Sequence, residues 1–141
     1  MMRLGVWYDF RNPPRWRLPW PQLYRETLSQ AVYAEELGFD SIWLSEHHFT
    51  DEGYLPCLPA ALGALAASTS RVRLGTAVLL APLHHPLRLA EDLAVIDQLC
   101  AGRAFLAGLE DQHAATGLSE LPPDKRAGDA RANDYDVVLP V

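Results

Sequence analysis

The feature that most constrains this chain is an alternation. Three times within residues 1–103, a short β-branched or aromatic run gives way to an apolar stripe of helical period. Residues 3–9 (Arg-Leu-Gly-Val-Trp-Tyr-Asp) read as a buried strand, and Tyr24, Leu28, Ala31 and Val32 then recur at helical spacing from Pro21 until Gly38 ends the helix. Residues 40–45 make a second strand, followed by an Ala-rich helix from about Pro59 to Thr69. Residues 72–80 make a third, followed by Leu89, Leu93, Ile96 and Cys100 on one helix face that Gly102 terminates. Ala104 to Leu109 reads as a fourth strand and Tyr135 to Leu139 as an isolated fifth. Strands alternating with helices imply a parallel sheet with right-handed crossovers. A closed barrel of eight such units takes about 200–250 residues, and this chain has 141. The expected fold is therefore α/β, an incomplete (β/α) barrel of three to four units.

The character of the chain changes near Gly102. Residues 1–103 carry a net charge of about −2 and 104–141 of about −4, and the stretch from Glu110 to Asn133 is mostly Ala, Gly, Asp, Pro, Ser and Arg. The expected organisation is one partial barrel over 1–109 and a polar, poorly ordered tail over 110–141. The overall charge of −6, with no basic cluster, disfavours nucleic acid, whose binding depends on neutralised phosphates. No apolar run of membrane-spanning length occurs, and the first twenty residues hold charges and prolines where a signal peptide has its apolar core, so a cytoplasmic protein without membrane contact is expected. Cys57 and Cys100 are too isolated for a zinc knuckle or a disulfide framework.

In parallel α/β folds, ligands gather at the C-terminal ends of the strands. The segment there after the second strand, Glu46-His47-His48-Phe49, is the richest in chemistry. An imidazole titrates near neutral pH and can take or give a proton. Neighbouring side chains of an extended segment point to opposite sides, so only one of His47 and His48 can face a ligand, and His47 is the candidate. His84 and His85 read as structural residues of a proline-bracketed loop. Glu46, His47, His48, His84 and His85 are metal-ligand types without metal-ligand spacing, so no metal site is expected. Trp7, Tyr8, Trp43 and Phe49 lie near strands and can either wall a planar ring or belong to the core.

Together, Ala34–Trp43, Glu46–Gly53, Arg73–Leu80, His85–Asp92 and Leu99–Arg103 resemble, in one collinear order, the N-terminal part of the bacterial luciferase-like flavin monooxygenases. The resemblance implies a TIM-barrel architecture with reduced FMN, or in a related branch the deazaflavin F420, at the C-terminal face. It implies an oxidoreductase that uses reduced flavin and O2 on a small organic substrate such as an aldehyde, with a flavin reductase supplying the reduced cofactor. His47 matches the family's catalytic histidine, and Glu46, Ala77 and Val78 would line the cofactor side. A non-prolyl cis peptide of the family's third strand would fall at Ala77-Val78.

The resemblance fades after Arg103. Later units of the family grip the flavin phosphate, and one phosphate-binding arginine aligns with Glu110, whose carboxylate would repel phosphate. The tail is expected to be out-of-frame or eroded sequence. The open strand edges then imply a homo-oligomer or association with a related chain. The alternatives are a non-catalytic half-barrel acting as an oligomerising or flavin-binding module, and an F420-dependent oxidoreductase. A metal-dependent hydrolase built on the Glu46 and histidine groups is the third.

Overall fold

The structure is a computed structural model that describes residues 2–108 and 136–140. Five strands, β1 (Arg3–Tyr8), β2 (Ser41–Leu44), β3 (Arg73–Leu79), β4 (Ala104–Gly108) and β5 (Asp136–Pro140), form one sheet in the order β4-β3-β2-β1-β5. Every pairing is parallel. Helices α1 (Trp20–Glu36), α2 (Leu58–Ser68) and α3 (Pro86–Cys100) make the crossovers, each with a proline in its first turn, where the missing N–H costs nothing. The α/β class and the alternating units are those expected. Two short 3₁₀ turns, Pro14–Trp16 and Ala81–Leu83, occupy the proline-rich loops, where the sequence shows no helical period.

The expected fifth strand falls at 136–140 and lies along β1, with Arg3 opposite Asp136 and Trp7 opposite Pro140. The remainder of the tail, including Glu110, lies outside the described residues, and with it the expectation of poor order there.

One face of the sheet meets the helices. Val6, Tyr8, Ile42, Leu44 and Leu74 pack there with Ala31, Ala34, Leu58, Leu62, Leu65, Ile96 and Cys100 in a continuous buried cluster. Full burial of each large aliphatic side chain contributes about 1.5–3 kcal/mol, so this layer dominates stability. Tyr8 belongs to this core and not to a ring-binding wall. Strand alternation sends Gly5, Trp7, Ser41, Trp43, Gly75 and Phe105 to the opposite face, the one a barrel would enclose.

Polar clamps fix the N-terminal ends of the strands. The Leu4 N–H donates to Asp40 Oδ2 at 2.9 Å, and the Asp40 N–H donates to the Leu4 carbonyl at 2.7 Å. Glu35, near the end of α1, accepts the N–H groups of Ser70, Arg71 and Val72 at 2.7–2.9 Å. With that end pinned, the C-terminal ends are left to carry chemistry.

Candidate functional site at the C-terminal ends of β1 to β3

Three connections meet at this end: residues 9–19 after β1, 45–57 after β2 and 80–85 after β3. The first two are knitted together. The Asn12 N–H donates to the Glu52 carbonyl at 2.6 Å, Arg17 reaches the Asp51 carbonyl at 2.9 Å, and the Arg11 guanidinium pairs with the Glu52 carboxylate. The buried Asn12 amide closes its own loop by exchanging bonds with the backbone of Leu18 at 2.9 Å in both directions. Gly53 is where the turn needs glycine. Its φ is +92°, and a β-carbon there would stand 2.1 Å from the Trp20 indole. Phe49 and Tyr54, at φ +55° and +77°, hold left-handed conformations on either side of this turn. Such backbone is uncommon outside glycine and tends to gather at functional sites.

His47 and His48 separate as the extended backbone requires. His47 is exposed, its N–H donates to the Leu55 carbonyl at 3.2 Å, and its ring lies 4.2 Å from that of Tyr54. The two rings are tilted by 49° to each other, and the Arg11 guanidinium lies over the Tyr54 ring, 5.5 Å from its centre. His48 turns back, its Nε2 2.8 Å from Glu46 Oε1. Phe49 projects fully into solvent, so it is not part of a wall in this arrangement.

Glu46 is the centre of the site. It is 2% exposed. Its N–H donates to the Val78 carbonyl at 3.3 Å, its Oε2 accepts the Leu80 N–H at 2.8 Å, and its Oε1 meets both His48 Nε2 and His84 Nε2, the latter at 2.9 Å. Burial alone would push this carboxyl up, but the Leu80 amide and the two imidazoles outweigh it and hold it below its ordinary value. An ionised carboxylate only accepts, so each imidazole carries its hydrogen on Nε2.

His84 is the residue that sequence reasoning missed. It reads as a loop residue beside prolines, and its partner is 38 positions away. The signal was the strand order: β2 and β3 are neighbours, so their C-terminal exits must meet. His85 takes the N-cap position of α3 and makes no side-chain capping bond. Among the described residues, no group of three His, Cys, Asp or Glu has the geometry to hold a metal ion.

Ala77 and Val78 sit at the exit of β3, partly buried, and the peptide bond between them is cis, as the resemblance implied. Among the described residues, two buried side-chain polar atoms lack partners: the Trp7 Nε1 and the Ser45 hydroxyl. Trp7 is opposite Trp43 on the enclosed face, and alternation places Ser45 on that same side one step further toward the C-terminal end. Orphaned buried donors are rare in a finished site, and here they mark where a polar ligand would complete the bonding.

A model of the family described as luciferase-like monooxygenase matches residues 2–122. The alkanal monooxygenase alpha chain of Photorhabdus laumondii is 43% identical over 102 residues, which is 72% of this chain and 28% of that protein. Among solved structures, the monooxygenase RslO1 from Streptomyces bottropensis superimposes with a TM-score of 0.69 at 34% identity, covering 89% of this chain and 38% of that one. The oxygenating constituent of 3,6-diketocamphane monooxygenase from Pseudomonas putida, solved in complex with FMN, gives 0.68 at 26% identity over 77% of this chain and 29% of that one. The chain belongs to the luciferase-like monooxygenase family. It spans about a fifth to a third of the length of the curated relatives it matches.

Proposed function

We propose that this chain supplies the proton-handling face of a reduced-flavin-dependent monooxygenase that uses O2 on a small organic substrate such as an aldehyde. The observation that carries this reading is His47, exposed at the C-terminal end of β2 and set against Tyr54, on the position that matches the family's catalytic histidine. FMN is the favoured cofactor, because one of the similar structures is an FMN complex. F420 is the alternative. Reduced FMN, when bound, brings the electrons that activate O2.

The unpartnered Trp7 indole N–H and Ser45 hydroxyl fit a flavin, whose ring edge presents acceptor atoms to donors of this kind. Ala77 and Val78, with the backbone of Glu46, form the cofactor side. The indoles of Trp7 and Trp43 give that side an apolar floor, which excludes water and strengthens the remaining polar contacts. His47, exposed at the end of β2, takes up or releases a proton at an imidazole nitrogen. A flavin reductase is the proposed source of reduced cofactor. A second copy or a related chain is the proposed partner at the open sheet edges, and the cytoplasm the proposed location.

The test is turnover of a long-chain aldehyde with photoreduced FMN and O2. A positioned acid or base contributes about 10²–10⁴-fold, so His47→Ala should lower turnover by at least about 100-fold while leaving reduced-FMN affinity within about twofold. Turnover unchanged by His47→Ala would refute the assignment.

A further inference from the structure

The carboxylate of Glu46 joins two connections that are distant in sequence. His48 reaches it from the exit of β2, whereas His84 reaches it from the turn between β3 and α3. The same carboxylate accepts the Leu80 N–H, and the Glu46 N–H holds the Val78 carbonyl. The last turn of backbone before His84 is thus fastened twice to Glu46, and Glu46 is itself steadied by two rings. Each ring is partly exposed while the carboxylate is sealed, so the rings also close the carboxylate off from water. A carboxylate has about four acceptor positions, and three are filled here. Among the described residues, His84 is the only side chain from beyond β3 that bonds this carboxylate, the Leu80 contact being made by backbone.

We propose that His84 is a positioning residue: by holding the Glu46 carboxylate from the β3–α3 turn, it fixes the Val78–Leu80 backbone on which the flavin ring is to rest. The flavin part of this proposal rests on the function proposed above, while the positioning part does not. Loss of the His84 N–H leaves Oε1 with one donor and frees the carboxylate to swing toward water through the gap. The Leu80 N–H then loses its acceptor. A glutamine at 84 carries an N–H donor of similar reach and restores the bond.

Amide hydrogen exchange on the cofactor-free chain tests this without any assumption about activity. In His84→Ala, exchange at Leu80 should accelerate at least tenfold, while Leu74 and Thr76, in the body of β3, stay within about twofold of the parent. His84→Gln should restore the parent rate at Leu80. An unchanged Leu80 rate in His84→Ala overturns the proposal, and so does equal acceleration at all three amides, which would mean general destabilisation. A parallel titration with photoreduced FMN should show affinity about tenfold weaker in His84→Ala and restored in His84→Gln. If Leu80 accelerates while FMN affinity does not change, the positioning of the flavin rest is refuted. If the parent binds no flavin at all, the proposed function fails, and the exchange rates alone decide the role of His84.

Discussion

Trp43 lies across Gly75, its register partner on β3, and fills the space where a β-carbon would stand. A carbon built at Gly75 would be 2.7 Å from Trp43 Cε3 and Cζ3 and 3.1 Å from the Phe105 ring. The other end of the same indole covers Gly5 on β1, where an added carbon would be 2.9 Å from Nε1, and the Nε1 hydrogen is donated to Ser41 Oγ at 3.0 Å. Phe105 meets the Trp43 ring edge-on at 4.7 Å. One indole therefore spans three strands of the enclosed face, and two glycines let it lie flat.

Gly75→Ala should destabilise the chain by about 1–3 kcal/mol, the usual cost of overpacking a filled layer. Urea unfolding measures it. Combining it with Trp43→Leu should recover much of the loss, because the clash is with the ring. Two strictly additive losses would show that Trp43 does not fill that space.

Glu35 makes stability depend on acid. Burial alone would push its carboxyl up, but the N–H groups of Val72, Ser70 and Arg71, with the Ser70 hydroxyl, draw it down to about 2. A carboxyl lower in the folded chain than in the unfolded one stabilises fully above the ordinary value of about 4.5, and that contribution is lost as the pH falls from there toward 2. Because the group is partly solvated, we expect about 1–2 kcal/mol. Glu35→Gln should be less stable than the parent by this amount at pH 7, with the gap closing between about pH 4.5 and 2. Urea midpoints over that range check it; a constant gap would contradict it.

Arg103 closes two helix ends. Its guanidinium donates to the carbonyls of Cys100, Val72 and Thr69 at 2.8 Å each, to the Ala66 carbonyl at 3.3 Å and to Thr69 Oγ1 at 3.0 Å. Helix C-termini leave carbonyls unpaired, and a planar fork reaches several where an ammonium reaches few. Arg103→Lys should therefore cost about 1–3 kcal/mol despite the retained charge, as read from thermal or urea unfolding. A loss within about 0.5 kcal/mol would mean that charge alone suffices.

The order of strands and helices was legible because each unit carries its own period. Val6, Ile42 and Leu74 mark the helix-facing side, and Gly38 and Gly102 mark the ends of the first and third helices. His47 was legible from its place after a strand. Less legible were contacts made between units. His84 meets Glu46 only because β2 and β3 are adjacent, and Tyr54 meets His47 only because the turn at Gly53 takes a left-handed backbone. The 3₁₀ turns at Pro14 and Ala81 escaped notice for the opposite reason: three residues are too few to show a period. The strand at 136–140 was visible as an apolar run, but its place beside β1 is a long-range pairing that no local pattern encodes.

Whether this face receives a reduced flavin is read by titrating the purified chain with photoreduced FMN, with reduced F420 in a parallel series and light scattering on the same samples. Saturable binding of FMN at micromolar concentration, tighter than that of F420 and accompanied by an assembly larger than one chain, is expected. No binding of either up to about millimolar, equivalent to about −4 kcal/mol, would contradict it.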